Sequence, residues 1–302
     1  MSNMAVGRPG GRVTRTGPVV ANRGIRTALR LVVVILGSIF ALYPFLMVVS
    51  ASFDPSGSLS GAQLIPANPS LANYQKLFNN ENAPIFKWLG NSIFVSSVST
   101  VITLTLTTLA AYSFSRFRFY GRQAGLLATL VIQVFPSVIA LVAFYLLLQQ
   151  VGKIIPFFGL NSLGGLILIY CGGALGANAW LMKGYFDTIP REIDESAQVD
   201  GATHWVTFTR VILPLISPIL AVVGLLAFIG TFNDFLLPRV LLQDRDVKTL
   251  AVGLTTFLDN QFSVNWGLFA AGALIGCIPI ITLFLFLQTK LVSGLSQGAV
   301  KG

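Results

Sequence analysis

Six stretches of this chain contain no charged residue: 31–53, 88–115, 123–152, 154–182, 211–233 and 260–289. Each is longer than the roughly 18 apolar residues that mark a membrane-helix candidate, since about 20 residues at a 1.5 Å rise cross a hydrocarbon core near 30 Å thick. Helices satisfy their own backbone groups in lipid, so the pattern predicts an all-α, polytopic membrane protein with six transmembrane helices. The polar segments between the runs are then loops on alternating sides. One of them, ESAQVDGATHWVTFTRVILP at 195–214, is unusually polar and acidic for its surroundings.

Composition supports that reading. Of 302 residues, 54% are hydrophobic and 10% charged, a balance suited to lipid rather than to an aqueous surface. A net charge of +9 could suggest nucleic acid, but its distribution points elsewhere. With the N-terminus placed inside, the inner segments 1–30, 116–122, 183–210 and 290–302 hold 14 Lys and Arg, while the outer segments 54–87, 150–160 and 234–266 hold 6. Inner and outer segments each total 78 residues, so the bias is one of density, and it follows the positive-inside rule. Both termini and the 183–210 loop are therefore expected on the cytoplasmic side, with no nucleic-acid partner and with lipid as the surrounding medium.

Residues 1–30 form a basic tail with Arg8, Arg12, Arg15, Arg23, Arg26 and Arg30, of which 1–24 are expected to be disordered from their Gly, Arg, Pro and Thr content. The tail resembles a signal-peptide n-region or an organelle transit peptide, and VVSAS at 48–52 resembles a cleavage site, but the apolar run is too long for a signal core; an uncleaved first helix is expected. The six-helix domain is placed at 31–292, with a loop at 186–214 and a C-terminal tail at 293–302. Cys171 and Cys277 both fall in membrane runs and say nothing about redox compartment.

Prolines 44, 136, 214, 218 and 279 fall within or at the start of the apolar runs, where each removes a helical hydrogen bond. Kinks that open a pathway and kinks that only pack are both consistent with them. The outer segment carries Tyr74 and Phe78, with Trp88 at its membrane end, suited to interfacial anchoring or to docking of an external partner. Gln133, Asn178 and Asn91 are the largest polar groups at membrane depth, and Gln133, one turn before Pro136, is a candidate pathway residue. No carboxylate or lysine sits in the middle of any run, which argues against a proton- or sodium-coupled carrier.

Enzyme chemistry is nearly absent. A single histidine, His204, and no clustered Cys or His provide no metal site, and there is no phosphate-binding G-x-x-x-x-G-K-S/T loop. Gly294-Leu295-Ser296-Gln297-Gly298 fits the hydrolase G-x-S-x-G pattern, but that motif needs a strained strand-to-helix turn and a base, so no catalytic residue is assigned.

In the polar loop, Pro190 suits a first helical turn, and Glu192, Asp194 and Glu195 bring negative charge to a helix N-terminus. Asp200-Gly201 reads as a turn, and a second helix is expected from about Ala202 to Arg210, leading through Leu213-Pro214 into the fifth span. Two readings fit this spacing: a stiff cytoplasmic protrusion, or an amphipathic loop lying on lipid headgroups.

The loop resembles the E-A-A-x3-G-x9-I-x-L-P signature of the membrane subunits of ATP-binding-cassette importers. Glu195, Ala197, Gly201, Leu213 and Pro214 match it, while Ser196 and Val211 replace the middle alanine and the isoleucine. NSIFVSSVSTVITLTLTTLAAYSFSRFRFYGR (91–122), IPFFGLNSLGGLILIY (155–170), KGYFDTIP (183–190), KTLAVGL (248–254) and SGLSQGAVKG (293–302) are similar to carbohydrate importer permeases. The resemblance implies a type I ABC importer permease fold in a bacterial cytoplasmic (inner) membrane. It implies a non-enzymatic transport subunit, with the loop residues coupling to a partner ATPase that binds ATP and Mg, and no cofactor on this chain. Gly294, Leu295, Gly298, Val300, Lys301 and Gly302 match a tail that in this family reaches between the two ATPase subunits. Implied partners are a second permease subunit, an ATPase dimer and an extracytoplasmic sugar-binding protein. Implied cargo is maltose or maltodextrin, with trehalose, glycerol phosphate or another oligosaccharide as alternatives, and a stand-alone carrier as the rival from another class.

Overall fold

The computed structural model describes residues 21–57, 64–134, 136–258 and 264–299, with the side chains of 21–25, 137 and 291–299 left out of the description. Two units divide the chain, residues 1–47 and residues 48–302. The first holds the beginning of α1 (Ala21–Phe53), an apolar helix that carries Phe40. Residues 21–24, expected to be disordered, continue this helix; the rest of the basic tail, residues 1–20, lies outside the described residues.

The second unit contains α2 (Ala72–Phe78), α3 (Ile85–Arg116), α4 (Arg122–Val134), α5 (Ser137–Ile154), α6 (Leu163–Gly172), α7 (Ala177–Asp187), α8 (Arg191–Val199), α9 (His204–Leu215), α10 (Ser217–Phe232), α11 (Leu236–Leu241), α12 (Leu250–Thr255) and α13 (Trp266–Ala299). Arg26–Phe53, Ile85–Arg116 and Trp266–Lys290 are each long and apolar enough to span alone. Three bent pairs, α4 with α5, α6 with α7, and α9 with α10, pass the same test together, so the described residues supply six spans where each pair counts as one.

Three apolar runs are therefore not the unbroken helices their patterns suggest. The run 123–152 breaks at Pro136, which takes an extended ψ of 117° and caps α5; it has no N–H to donate and would clash with the preceding turn. The run 154–182 opens with a single 3-10 turn at Pro156–Phe158, enters α6 only at Leu163, and turns through 51° across the glycine-bearing link 173–176 before α7. Ser162 caps α6, its Oγ accepting the Gly165 N–H at 3.0 Å. The run 211–233 turns through 77° at Ile216, and the sixth starts at Trp266 rather than 260. Pro44 and Pro279, by contrast, lie inside continuous helices.

α3 is the central strut, packing against α6, α7, α10 and α13. Its buried face is a row of small hydroxyl residues, Ser92, Ser96, Ser99, Thr103 and Thr107. Lipid is as apolar as leucine, so spans associate through close approach and hydrogen bonds more than through the hydrophobic effect, and small residues allow that approach. Thr107 Oγ1 donates to the Ala174 carbonyl at 2.9 Å, satisfying an acceptor freed by the α6–α7 break.

At the α2 end, Trp88 is 1% exposed and its Nε1 donates to the Arg245 carbonyl at 2.8 Å, which removes it from the interfacial role its position suggested. Asn91 Nδ2 donates to the Asp246 and Lys248 carbonyls at 3.0 and 2.9 Å, so this amide ties a loop to α3. Lys87 Nζ lies 3.1 Å from Asp246 and holds that carboxyl below the usual range. At the opposite end, Tyr112, Phe186, Phe208, Ile212 and Ile216 form the buried cluster on which α8 and α9 rest.

Candidate functional site

The polar segment 190–215 folds as two helices meeting at a glycine. Pro190 stands just outside α8 as its cap rather than inside the first turn, with φ −55° and ψ 138°. Glu192 and Asp194 occupy the first turn, where the helix dipole favours negative charge. At the far end Gly201 has φ +86°, and the chain doubles back so that the Ala202 N–H donates to the Ala197 carbonyl at 2.9 Å. This left-handed closure needs glycine for its backbone angle, not for space: a Cβ there meets nothing within 4 Å.

Thr203 then caps α9, its Oγ1 accepting the Val206 N–H at 3.3 Å. The second helix runs from His204 to Leu215, later at both ends than the sequence suggests. It has a π-helical stretch at Thr207–Ile212, with Leu213 and Pro214 in its last turn before the sharp bend into α10. Proline at 214 lacks the N–H that a continued ladder would use.

The rear of this hairpin is fixed to the end of α3. Arg116 Nε lies 3.0 Å from Asp194 Oδ2, both side chains below 10% exposure. The N–H is not aimed along that line, so the contact is an ion pair by distance rather than an aligned hydrogen bond. The Arg116 Nη2 donates to the Ile189 carbonyl at 3.1 Å, and the Tyr112 hydroxyl to Asp194 Oδ1 at 3.4 Å. Arg191 reaches back to the Ser115 carbonyl at 2.9 Å, and Ser115 Oγ donates to Asp187 at 2.7 Å. Removing one member of a buried ion pair strands the other charge, so this arrangement holds α8 in one orientation.

The front of the hairpin is bare. Glu195 is exposed, and its carboxylate has no partner among the described residues. Val199, 87% exposed and one turn on from Glu195 along α8, is the apolar group beside it; Trp205, 63% exposed, instead packs on Phe208 with ring centroids 5.7 Å apart, beside Leu104 and Leu220 of the spans, and His204 sits edge-on to Phe117 with ring centroids 5.3 Å apart. Ala197 is half-buried. Sequence reasoning named Glu195, Ala197, Gly201, Leu213 and Pro214; it missed Arg116, Tyr112 and Val199. The charges at 116 and 194 stand 78 positions apart, and no local pattern joins them.

The remaining candidates lie elsewhere. Gln133, on α4, donates to the Thr129 carbonyl at 3.2 Å and lies over Gly176 at the α6–α7 break, where a Cβ would come within 2.9 Å of it. Gly294, Leu295 and Gly298 fall inside the continuous helix α13, as does the whole G-x-S-x-G pentapeptide, so the strained turn required of a hydrolase elbow is absent. Val300, Lys301 and Gly302 lie outside the described residues. Among the described residues no group of His, Cys, Asp and Glu could hold a metal.

Comparison with known proteins agrees with this architecture. Over 272 residues the chain is 43% identical to the maltose/maltodextrin transport system permease protein MalG of Vibrio vulnificus, covering 86% of this chain and 91% of that one. It is 41% identical over 265 residues to the maltodextrin transport system permease protein MdxG of Bacillus subtilis, covering 88% and 92%. A solved bacterial ABC transporter for import of the acidic polysaccharide alginate superposes with a TM-score of 0.74 at 22% identity, covering 89% of this chain and 97% of that one. Residues 103–297, a stretch that includes the α8–α9 hairpin and most of the spans, match the family described as binding-protein-dependent transport system inner membrane component, and the chain belongs to that family of ABC importer permeases.

Proposed function

We propose that this chain is one of two membrane-spanning subunits of an ATP-driven, binding-protein-dependent importer of maltose or maltodextrins. The observation that carries this reading is the α8–α9 hairpin: anchored by Arg116 and Asp194, and bare at Glu195 and Val199. A lever must be stiff toward what it moves and open toward what moves it. Relatives that share two-fifths of their sequence with this chain along most of its length carry maltose or maltodextrin in their names, which supports that cargo.

In this proposal a MalF-like permease completes the pathway, and a MalK-like ATPase dimer binds ATP and Mg and grips the hairpin. An extracytoplasmic sugar-binding protein docks at the α2 end. The hairpin and both termini face the cytoplasm, in line with the density of Lys and Arg on those segments. No cofactor resides on this chain. ATP closure of the ATPase pair draws on α8, and α3 and α10 carry the displacement into the spans. ATP and loaded binding protein shift the equilibrium only because both favour the outward-open form.

The test is ATP hydrolysis by the complex that co-purifies with the tagged chain, reconstituted with its binding protein across a panel of maltose, maltodextrins, trehalose and glycerol phosphate. Stimulation by maltose or maltodextrins is expected, and Glu195→Ala should reduce it by tenfold or more while the chain still inserts. Stimulation by another solute alone would keep the subunit's role and replace the cargo. A tagged chain that retains no ATPase would overturn the proposal.

A further inference from the structure

Residues 117–122, Phe-Arg-Phe-Tyr-Gly-Arg, lead from α3 into α4 and contain no acid. Their depth follows from what they touch. Phe117 meets the ring of His204, and the next residue, Trp205, is 63% exposed yet lies beside Leu104 and Leu220 of the spans. A tryptophan partly in the bundle and partly out marks where hydrocarbon gives way to headgroups. The loop therefore leaves the membrane at headgroup level, on the face that carries the hairpin.

Gly121, at φ +83°, closes the loop: the Arg122 N–H donates to the Phe119 carbonyl at 3.3 Å and the Gly125 N–H to the Gly121 carbonyl at 2.7 Å. Phe119 rests on Phe114, with ring centroids 5.6 Å apart. This closure sorts the remaining side chains. Arg116 and Phe117 reach back, to Asp194 and to the rings of Tyr112 and His204, and half-buried Arg122 lies within electrostatic reach of Asp187. Arg118 and Tyr120 are exposed, Tyr120 fully, and neither has a hydrogen bond or ion pair among the described residues. Asp187 is itself engaged by Lys183 and Ser115, which leaves Arg118 without a counter-charge.

We infer that this loop is a site for an anionic phospholipid of the adjacent leaflet, with Arg118 gripping the phosphate and the Tyr120 ring lying along the boundary between headgroup and acyl chain. A guanidinium presents paired N–H donors that match two phosphate oxygens, and a tyrosine has an apolar body with a polar tip. The cytoplasmic leaflet is the anionic one, and its surface attracts basic groups beside a span. A soluble anion would answer Arg118 but leave the exposed ring unmatched; a lipid suits both. Arg116, which holds Asp194, and Phe117, which meets His204, immediately precede Arg118, so a bound headgroup steadies the end of α3 and with it the hairpin. The site stands on the cytoplasmic placement of the hairpin proposed above, and its effect on coupling rests on the importer reading.

The test compares the complex that co-purifies with the tagged chain in nanodiscs of phosphatidylcholine alone and in nanodiscs with a third of the lipid as phosphatidylglycerol. Two quantities are read: sugar-stimulated ATP hydrolysis with loaded binding protein, and the phosphatidylglycerol retained per complex, counted by native mass spectrometry after transfer to detergent. Phosphatidylglycerol should raise hydrolysis severalfold in the unsubstituted complex. Arg118→Gln with Tyr120→Ala should remove that rise and lower the retained phosphatidylglycerol, while hydrolysis in phosphatidylcholine stays within about twofold, as exposed positions allow. Arg118→Lys with Tyr120→Phe, which keeps charge and ring, should preserve part of both. Retention unchanged by the double variant overturns the site; lowered retention with an unchanged rise keeps the site and overturns its effect on the hairpin. A rise reproduced by inorganic phosphate in phosphatidylcholine nanodiscs would make the ligand a free anion and overturn the lipid. Loss of the co-purifying ATPase from the double variant would make the loop an ATPase contact and overturn the site likewise. If the unsubstituted complex hydrolyses no ATP in response to sugar, the importer reading fails, and retention alone decides the lipid site.

Discussion

Gly201 and the Arg116–Asp194 pair do opposite jobs in the same hairpin, and substitution separates them. At φ +86° an L-residue bears a left-handed cost of roughly 1–2 kcal/mol, which Asn tolerates better than Ala. Gly201→Asn should therefore keep most sugar-stimulated ATP hydrolysis while Gly201→Ala loses most of it. Equal loss in both would trace the requirement to a partner's surface, since a Cβ meets nothing within the chain. Asp194→Ala leaves a guanidinium below 10% exposure without its counter-charge, a change that typically costs about 3–5 kcal/mol. Limited proteolysis should then cut the 190–205 segment faster. The double variant Arg116→Met, Asp194→Leu should restore much of the protection, because the pair's value lies in orientation more than in net stability.

Among the elements, the broken spans carry the most consequence. A break at membrane depth frees carbonyls, and each needs a donor. The α6–α7 break has Thr107 for its Ala174 carbonyl, whereas the hydroxyl of Thr105, two residues earlier and exposed, only returns to its own helix at Val101. Thr107→Val should lower the thermal midpoint of the purified protein by the equivalent of about 1–3 kcal/mol, and Thr105→Val should hardly move it. Equal effects would mean that the break is satisfied some other way. The glycines of this stretch and Pro136 are readable as breakers in a sequence, but apolar content alone draws the same continuous helix through both. Hydropathy reports what lipid accepts, while the break depends on which side chain of another helix stands opposite.

For the whole molecule, exposed apolar surface comes in two kinds that a solvent-accessibility figure does not distinguish. Phe40 on α1, 82% exposed, sits in a stretch free of charge for 23 residues and belongs in lipid; Val199, 87% exposed, stands beside Glu195 and Asp200 on the polar α8–α9 hairpin. Phe40→Asp should accordingly cut the amount of chain recovered in the membrane fraction. Val199→Asp should leave insertion and the chain's own thermal midpoint unchanged, yet cost the complex its co-purifying ATPase. Retention of the ATPase by Val199→Asp would remove that residue from the docking face.

The number of apolar runs, the side-to-side bias of charge and the location of the α8–α9 hairpin were determined by the sequence by itself, because each follows from local quantities: run length, Lys and Arg density, and a short signature with a glycine at its turn. Only the tertiary structure decided where the spans bend, that Trp88 and Asn91 fasten a loop rather than face lipid, and that Arg116 meets Asp194. Those facts depend on groups tens of residues apart coming within hydrogen-bond distance. Such meetings are set by how helices pack, and helix packing leaves no period or motif along the chain for a reader to find.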